Sequence, residues 1–344
     1  MKILITGAGG YIGSSLISYL NNLSRGLFQL NDLLDGETFK GEVIHGPQEG
    51  PFAEPLTISG YDNLMYNQGP LVYNSLQGCK FRIQDVTEWS NDLINDVKEA
   101  DVIIPLAAIV GAPACDKIPA QSTSINYTWF EQLLEYINPN TLVIYPNTNS
   151  GYGSTGNDIC TEETPSNPIS LYGKNKQQAE DLLLKNHKNS IVFRLATVFG
   201  WSPRPRLDLL INNLTFRSKT EGNIEIFDAH FRRNYIHVKD ICKAFIFAIE
   251  SSNISTGQAY NLGNDSINCT KKHLAEVISS TLGTSYSINQ NRTDPDKRDY
   301  EVSSQKLYNT GYIPDIDLIT GIKELNNFYN FLTCKTYDNI IKNY

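Results

Sequence analysis

The chain opens with a short apolar run, Ile3–Ile5, followed by glycines at positions 7, 9, 10 and 13 and then by apolar residues at helical spacing, Ile12, Leu16, Ile17 and Leu20. Strand, glycine turn and helix in that order constrain the fold more than any other stretch. In this context the Gly7, Gly10 and Gly13 spacing reads as a dinucleotide turn. Gly7 turns the chain off the strand, Gly10 lets backbone approach a pyrophosphate, and Gly13 brings the helix close to the sheet. The anion then meets the free N–H groups and positive dipole end of the helix, with Tyr11 and Ile12 in its first turn.

Such a turn belongs to a doubly wound parallel sheet, and 344 residues are enough for that sheet plus a second lobe. Further apolar runs supply the strands: Pro55–Leu64, Lys80–Ile83, Asp101–Ala108, Thr141–Tyr145 and Ser190–Leu195. An adenosine ribose is expected to meet a carboxylate at the end of the second strand, ~20 residues past the glycines. Asp32 stands at about that distance, but Leu27–Leu34 lacks strand alternation. Asp62 ends a better strand and is preferred, at the cost of an insertion over about 24–54 that reads as a surface excursion or partner contact rather than a catalytic segment. Helices are expected over Pro119–Tyr136, which carries Asn126, and over Ser170–His187. Prolines 203 and 205 and weakening alternation put the second lobe, a smaller mixed α/β unit, at 197–344, after a nucleotide-binding domain at 1–196. Some later segments are expected to return to the first domain.

Charge and composition exclude several classes. A net charge of −8 speaks against nucleic acid or an anionic membrane as partner. No apolar run approaches the ~20 residues of a membrane span. Six scattered cysteines and five histidines lack metal-ligand spacing, so no metal is expected, and reduced thiols together with an immediate first strand suggest a cytoplasmic protein.

Chemistry is expected where parallel strands end. Thr148 follows the fifth strand, and Tyr172 and Lys176 stand at i and i+4 on one helix face. Planar guanidinium forks suit a diphosphate, which marks the pair Arg232-Arg233 together with Arg292 and Arg298; Asn126 and the pair Asn212-Asn213 are further polar features that could meet a substrate.

Taken together these residues resemble the extended short-chain dehydrogenase/reductase superfamily, and within it the NAD-dependent nucleotide-sugar epimerases and dehydratases such as UDP-glucose 4-epimerases. Thr6–Gly13 is similar to TGxxGxxG, and Tyr61–Leu64, with Asp62 and Asn63, to the ribose site. Asp85-Val86 is similar to the adenine contact, and Leu106-Ala107-Ala108 to the HLAA strand end, with Pro105 in place of His. Thr148 with Tyr152-Gly153 resembles SSxxVYG, Tyr172 and Lys176 resemble YxxxK, and Arg233–Val238 resembles RDYIHV. The resemblance implies a Rossmann-type fold, NAD as cofactor, a nucleotide-diphosphate sugar as substrate and a homodimer built through two helices per subunit.

It also implies roles. Tyr172 becomes the base for the sugar 4-hydroxyl, its phenolate favoured by the Lys176 charge and the nicotinamide. Thr148 aligns that hydroxyl. The 4,6-dehydratases of the family carry Asp-Glu after this threonine; Asn149 and Ser150 stand here and cannot do that acid–base work. The expectation is therefore a 4-epimerase. The alternatives are a 4-dehydrogenase or dehydratase releasing a 4-keto sugar, a reductase on a non-sugar carbonyl, and a cofactor-sensing protein without catalysis.

Overall fold

The structure, a computed structural model, describes residues 1–24, 56–155, 158–293 and 299–330. The insertion expected over 24–54 therefore lies, apart from Ser24, outside the described residues, as does Asp32.

The first five strands are β1 (Lys2–Thr6), β2 (Thr57–Asp62), β3 (Cys79–Ile83), β4 (Val102–Pro105) and β5 (Leu142–Thr148). After the short β6 (Ile159–Cys160) come β7 (Ser190–Leu195), β8 (Thr197–Phe199), β9 (Asn223–Ile226), β10 (Arg232–His237) and β11 (Gln258–Leu262). Seven of these make one parallel sheet in the order β3-β2-β1-β4-β5-β7-β11. Order reverses between β1 and β4, which opens a crevice at the carboxyl ends of those strands.

Both faces of the sheet are covered, which is why its strands read as unbroken apolar runs. Ile3 and Ile5 point into a core with Leu16 and Leu20 of the helix Tyr11–Ser24 and with Ile241 and Phe245 of the helix Val238–Glu250. Leu4 points the other way, toward Leu93, Trp129, Leu133 and Leu183. The chain leaves the sheet after β7 and returns to it as β11. Between and beyond lies a smaller assembly: β8, β10 and β12 (Asn264–Thr270) form a three-stranded sheet, and β9 pairs with β13 (Ser285–Ile288). Phe199, Ile211, Leu274, Ile278 and Ile322 make its core.

Three elements differ from the sequence expectation. The fourth strand stops at Pro105 rather than Ala108: the Leu106 N–H makes the last bond to β1, at the Thr6 carbonyl (3.0 Å), and is shared with the Ile104 carbonyl (3.1 Å) in a tight turn. The fifth runs on to Thr148, carried by pairing with β7 as far as Leu195. The helix expected over 119–136 is interrupted by a π turn, Ser124–Thr128, that contains Asn126.

Candidate active site

Gly7 has φ +67°, and a Cβ there would lie 2.6 Å from the Ala107 nitrogen; at Gly13 it would lie 2.3 Å from the Gly7 carbonyl oxygen. Side chains are thus excluded from the turn on both its strand and its helix side. The turn is closed by Gly10 N donating to Gly7 O (2.9 Å). Asp62, buried at the end of β2, binds this turn directly: Oδ2 accepts from Gly9 N (3.0 Å), while Oδ1 accepts from Leu64 N (2.8 Å) and Gln68 Nε2 (3.1 Å). Burial raises its pKa, and those same donors pull against the rise. Asn63 donates to Asp85 Oδ2 (2.8 Å). Burial opposes ionisation of Asp85, but hydrogen bonds from Thr87 and Asn63 outweigh it and hold the carboxyl below its ordinary range.

Across the crevice, β5 delivers Thr148. Its N–H donates to Asn147 Oδ1 (2.7 Å), and its Oγ1 donates to Ser150 Oγ (3.0 Å) while accepting from Ser150 N (3.2 Å). The helix Leu171–Asn186, capped by Ser170 Oγ on Gly173 N (3.1 Å), brings Tyr172 and Lys176 to the same wall. Lys176 is only 4% exposed. Burial lowers its pKa to about 7 against the charge of Glu180, one turn further on. Glu180 is itself buried between Asn147, whose amide donates to it, and Arg194, whose Nη2 lies 2.6 Å from Oε1. Arg194 Nη1 continues to the Tyr152 hydroxyl (2.9 Å), which donates to Asn261 Oδ1 (2.6 Å). This chain of contacts fixes the strand end that carries Thr148.

Glycine turn and strand end face each other across one cleft of about 890 Å³. It is lined by Gly7, Gly10, Tyr11, Ile12, Gly13, Asp62, Asn63, Asp85, Val86, Leu106, Ala107 and Ala108 on the first side, and by Thr148, Tyr172 and Lys176 on the second. Asn213 and Arg233 also reach it, from the helix Leu210–Glu221 and from β10.

Two expected substrate contacts are placed elsewhere. Asn126 does not line the cleft; its Oδ1 accepts from Ile109 N and its Nδ2 donates to Ile109 O, both at 2.9 Å, so its amide clamps the backbone after β4. Arg292 lies at a separate depression with Lys272 and His230, paired with Glu225 (3.4 Å) and over the Phe227 ring. Arg298 falls outside the described residues. Conversely, Tyr66, Arg204, Arg206 and Lys271 line the cleft without having been singled out for it. The cluster of Arg204 with Arg206 was the available signal; Tyr66 and Lys271 carry none.

A doubly wound sheet with a cleft at its switch point is a Rossmann-type nucleotide-binding fold. The chain belongs to the NAD dependent epimerase/dehydratase family, whose model matches residues 3–263. It is 24% identical to UDP-glucuronate 4-epimerase 6 of Arabidopsis thaliana, an alignment covering 96% of this chain and 71% of that one. It is also 24% identical to a dTDP-glucose 4,6-dehydratase of Streptomyces niveus, over 96% and 93%. Among solved structures, UDP-glucuronic acid 4-epimerase from Bacillus cereus, in complex with UDP-glucuronic acid and NAD, superposes with a TM-score of 0.75 at 22% identity, covering 96% of this chain and all of that one (100%).

Proposed function

We propose that the protein is a nucleotide-sugar 4-epimerase in which Tyr172, Lys176 and Thr148 act on the sugar C4 hydroxyl. The observation that carries this reading is the single cleft, with a side-chain-free turn and a buried carboxylate at one end and these three residues at the other. The residues fit NAD: Gly7–Gly13 offer backbone donors and close approach to its pyrophosphate, and Asp62 offers an acceptor for its ribose. Bound NAD would supply the acceptor for the hydride leaving C4 and, in turn, the donor that returns it.

Tyr172 takes the hydroxyl proton and later returns it. Lys176 on the same helix face, its pKa lowered to about 7, favours the phenolate that this needs whenever it carries its proton. Thr148 orients the hydroxyl through Oγ1. Arg233, Asn213 and Lys271 face the cleft on the side of the smaller assembly and are the residues to hold the nucleotide diphosphate. Elimination is disfavoured because the two positions after Thr148 hold an amide and a hydroxyl, and the amide, Asn149, is buried away from the cleft lining.

The reading includes a homodimer in the cytoplasm; among the described residues no helix is long and apolar enough to cross a membrane. The test is a panel of nucleotide sugars followed by product NMR and by absorbance at 340 nm. Epimerised product without net NADH is expected, and Tyr172→Phe is expected to abolish turnover while leaving NAD bound. Net NADH with a 4-keto product would replace the epimerase by a dehydrogenase, and undiminished turnover in Tyr172→Phe would remove the base from this role.

A further inference from the structure

The segment leaving β8 is tied down across the first turn of the helix that follows the glycine turn. The Tyr11 hydroxyl donates to Gly200 O (2.6 Å), and Ser202 Oγ donates to Tyr11 O (2.6 Å) beside Ser14 Oγ. Asn212 completes the anchoring: its Oδ1 accepts from Gly200 N and its Nδ2 donates to Arg206 O, both at 3.0 Å. From this anchor Arg204 turns into the cleft. Its N–H donates to Ser202 Oγ (3.3 Å), and its guanidinium, on a residue only 2% exposed, lies over the Tyr66 ring with Cζ 4.8 Å from the centroid. Tyr66 comes from the other wall. It sits on the loop that leaves β2, and that loop is held to Asp62 through Gln68, whose Oε1 accepts from Tyr66 N (3.1 Å) and whose Nε2 donates to Asp62. Two loops far apart in sequence therefore meet over the end of the cleft formed by the glycine turn and Asp62.

The electrostatics of the meeting point favour an anion. Burial and the neighbouring Arg206 bring the Arg204 pKa down to about 10 although Asp208 and Asp62 pull the other way, so a further negative group beside the guanidinium favours its charged form. The cation–π contact with Tyr66 fixes the plane of the fork at this point of the cleft. The anion a dinucleotide presents at this end of such a cleft is its pyrophosphate.

We propose that Arg204, seated on Tyr66 and anchored through Ser202, is a cofactor-retaining residue that grips the dinucleotide pyrophosphate from the side opposite the glycine turn. The proposal rests on the NAD-binding reading given above and adds to it the residue, on the loop after β8, that slows release of the cofactor. An enzyme that returns each hydride to its own substrate needs no exchange of cofactor.

The experiment loads wild-type protein, Arg204→Gln and Tyr66→Leu with isotopically labelled NAD and follows its replacement by unlabelled NAD. Circular dichroism checks the fold, and KM for an active nucleotide sugar is measured in parallel. Exchange faster by roughly tenfold or more in both variants is expected, the loss of one charge-assisted contact. Should Arg204→Gln fail to fold, Tyr66→Leu alone decides. Unchanged exchange in folded variants overturns the proposal. So does a raised KM for the sugar nucleotide with unchanged exchange, which would give Arg204 to the substrate. Arg204-dependent retention of NADP in preference to NAD overturns it as well, by giving the guanidinium to a 2′-phosphate. Wild-type protein that holds no NAD at all removes the underlying reading, an outcome distinct from the others.

Discussion

The ammonium nitrogen of Lys176 lies 4.0 Å from the centre of the Tyr145 ring, so the lysine rests on an aromatic face supplied by β5. The ring quadrupole favours the charged form, yet burial dominates and the pKa falls from 10.5 to about 7.

The sign of the resulting pH dependence follows from proton counting. Between pH 7 and 10.5 the unfolded chain keeps this proton and the folded chain does not, so stability rises with pH across that window. Below about 7 both states bind it and the burial penalty is fully present. Wild-type protein is therefore expected to gain stability from pH 7 to 9.5 relative to Lys176→Met, with a slope difference of at most about 1.4 kcal/mol per pH unit. Urea unfolding at several pH values measures it. Parallel curves for the two proteins would show that Lys176 is not the titrating group.

Glu180 and Arg194 form a buried ion pair, at 1% and 12% side-chain exposure. Removing one partner strands the other charge, so Glu180→Gln is expected to cost about 3–5 kcal/mol in unfolding free energy. The double variant Glu180→Gln/Arg194→Met should be less destabilised than the sum of the two singles, because the second change removes the stranded charge. Strict additivity would contradict the coupling.

Gly7→Ala places a methyl group 2.6 Å from backbone and forces a left-handed φ on alanine. The strain alone is of order 1–3 kcal/mol, and relief by moving the turn opens the cradle. NAD affinity measured by calorimetry should fall roughly tenfold or more. Gly222→Ala, with φ +72° and nothing within 4 Å, is the control, since it carries backbone strain far from the turn and should leave NAD affinity as it was.

Asn126→Ala deprives the Ile109 N–H and C=O of their side-chain partner. A loss of about 1–3 kcal/mol in stability is expected, with kcat lowered through displacement of the loop after β4. KM for the sugar nucleotide should move little, because the amide does not face the cleft. A large rise in KM at unchanged stability would return Asn126 to the substrate.

The sheet and the position of the glycine turn and Asp62 at one end of the cleft were largely legible in the sequence, and the physical reason lies in β1 and β2. Strands buried on both faces appear as continuous apolar runs, and Asp62 marks the end of one of them. Other features leave no such trace. A π turn keeps the apolar spacing of a helix, so the break around Asn126 is invisible until the backbone is seen. An amide or guanidinium near a strand end carries the same chemistry whether it faces a ligand, a backbone or a carboxylate. For that reason the sequence does not distinguish Asn126 and Arg292 from cleft residues; their partners Ile109 and Glu225 are set by packing. The contact of Arg204 with Tyr66 joins loops with no local pattern in common.

The pairing of β11 with β7 has a consequence for how the protein comes into being. β7 is complete by residue 195, but its outer edge finds its partner only when residues 258–262 have been made. Until then a nascent chain presents a row of unsatisfied N–H and C=O groups, open to pairing with any other strand in the cell. A message or gene truncated between those points should accordingly give an aggregating product rather than a smaller working one. In the finished sheet β11 is the outer strand, and side chains cover part of its edge: the Asn261 N–H donates to Glu162 Oε1 (2.6 Å) and the Ala259 carbonyl accepts from Lys306 Nζ (2.9 Å).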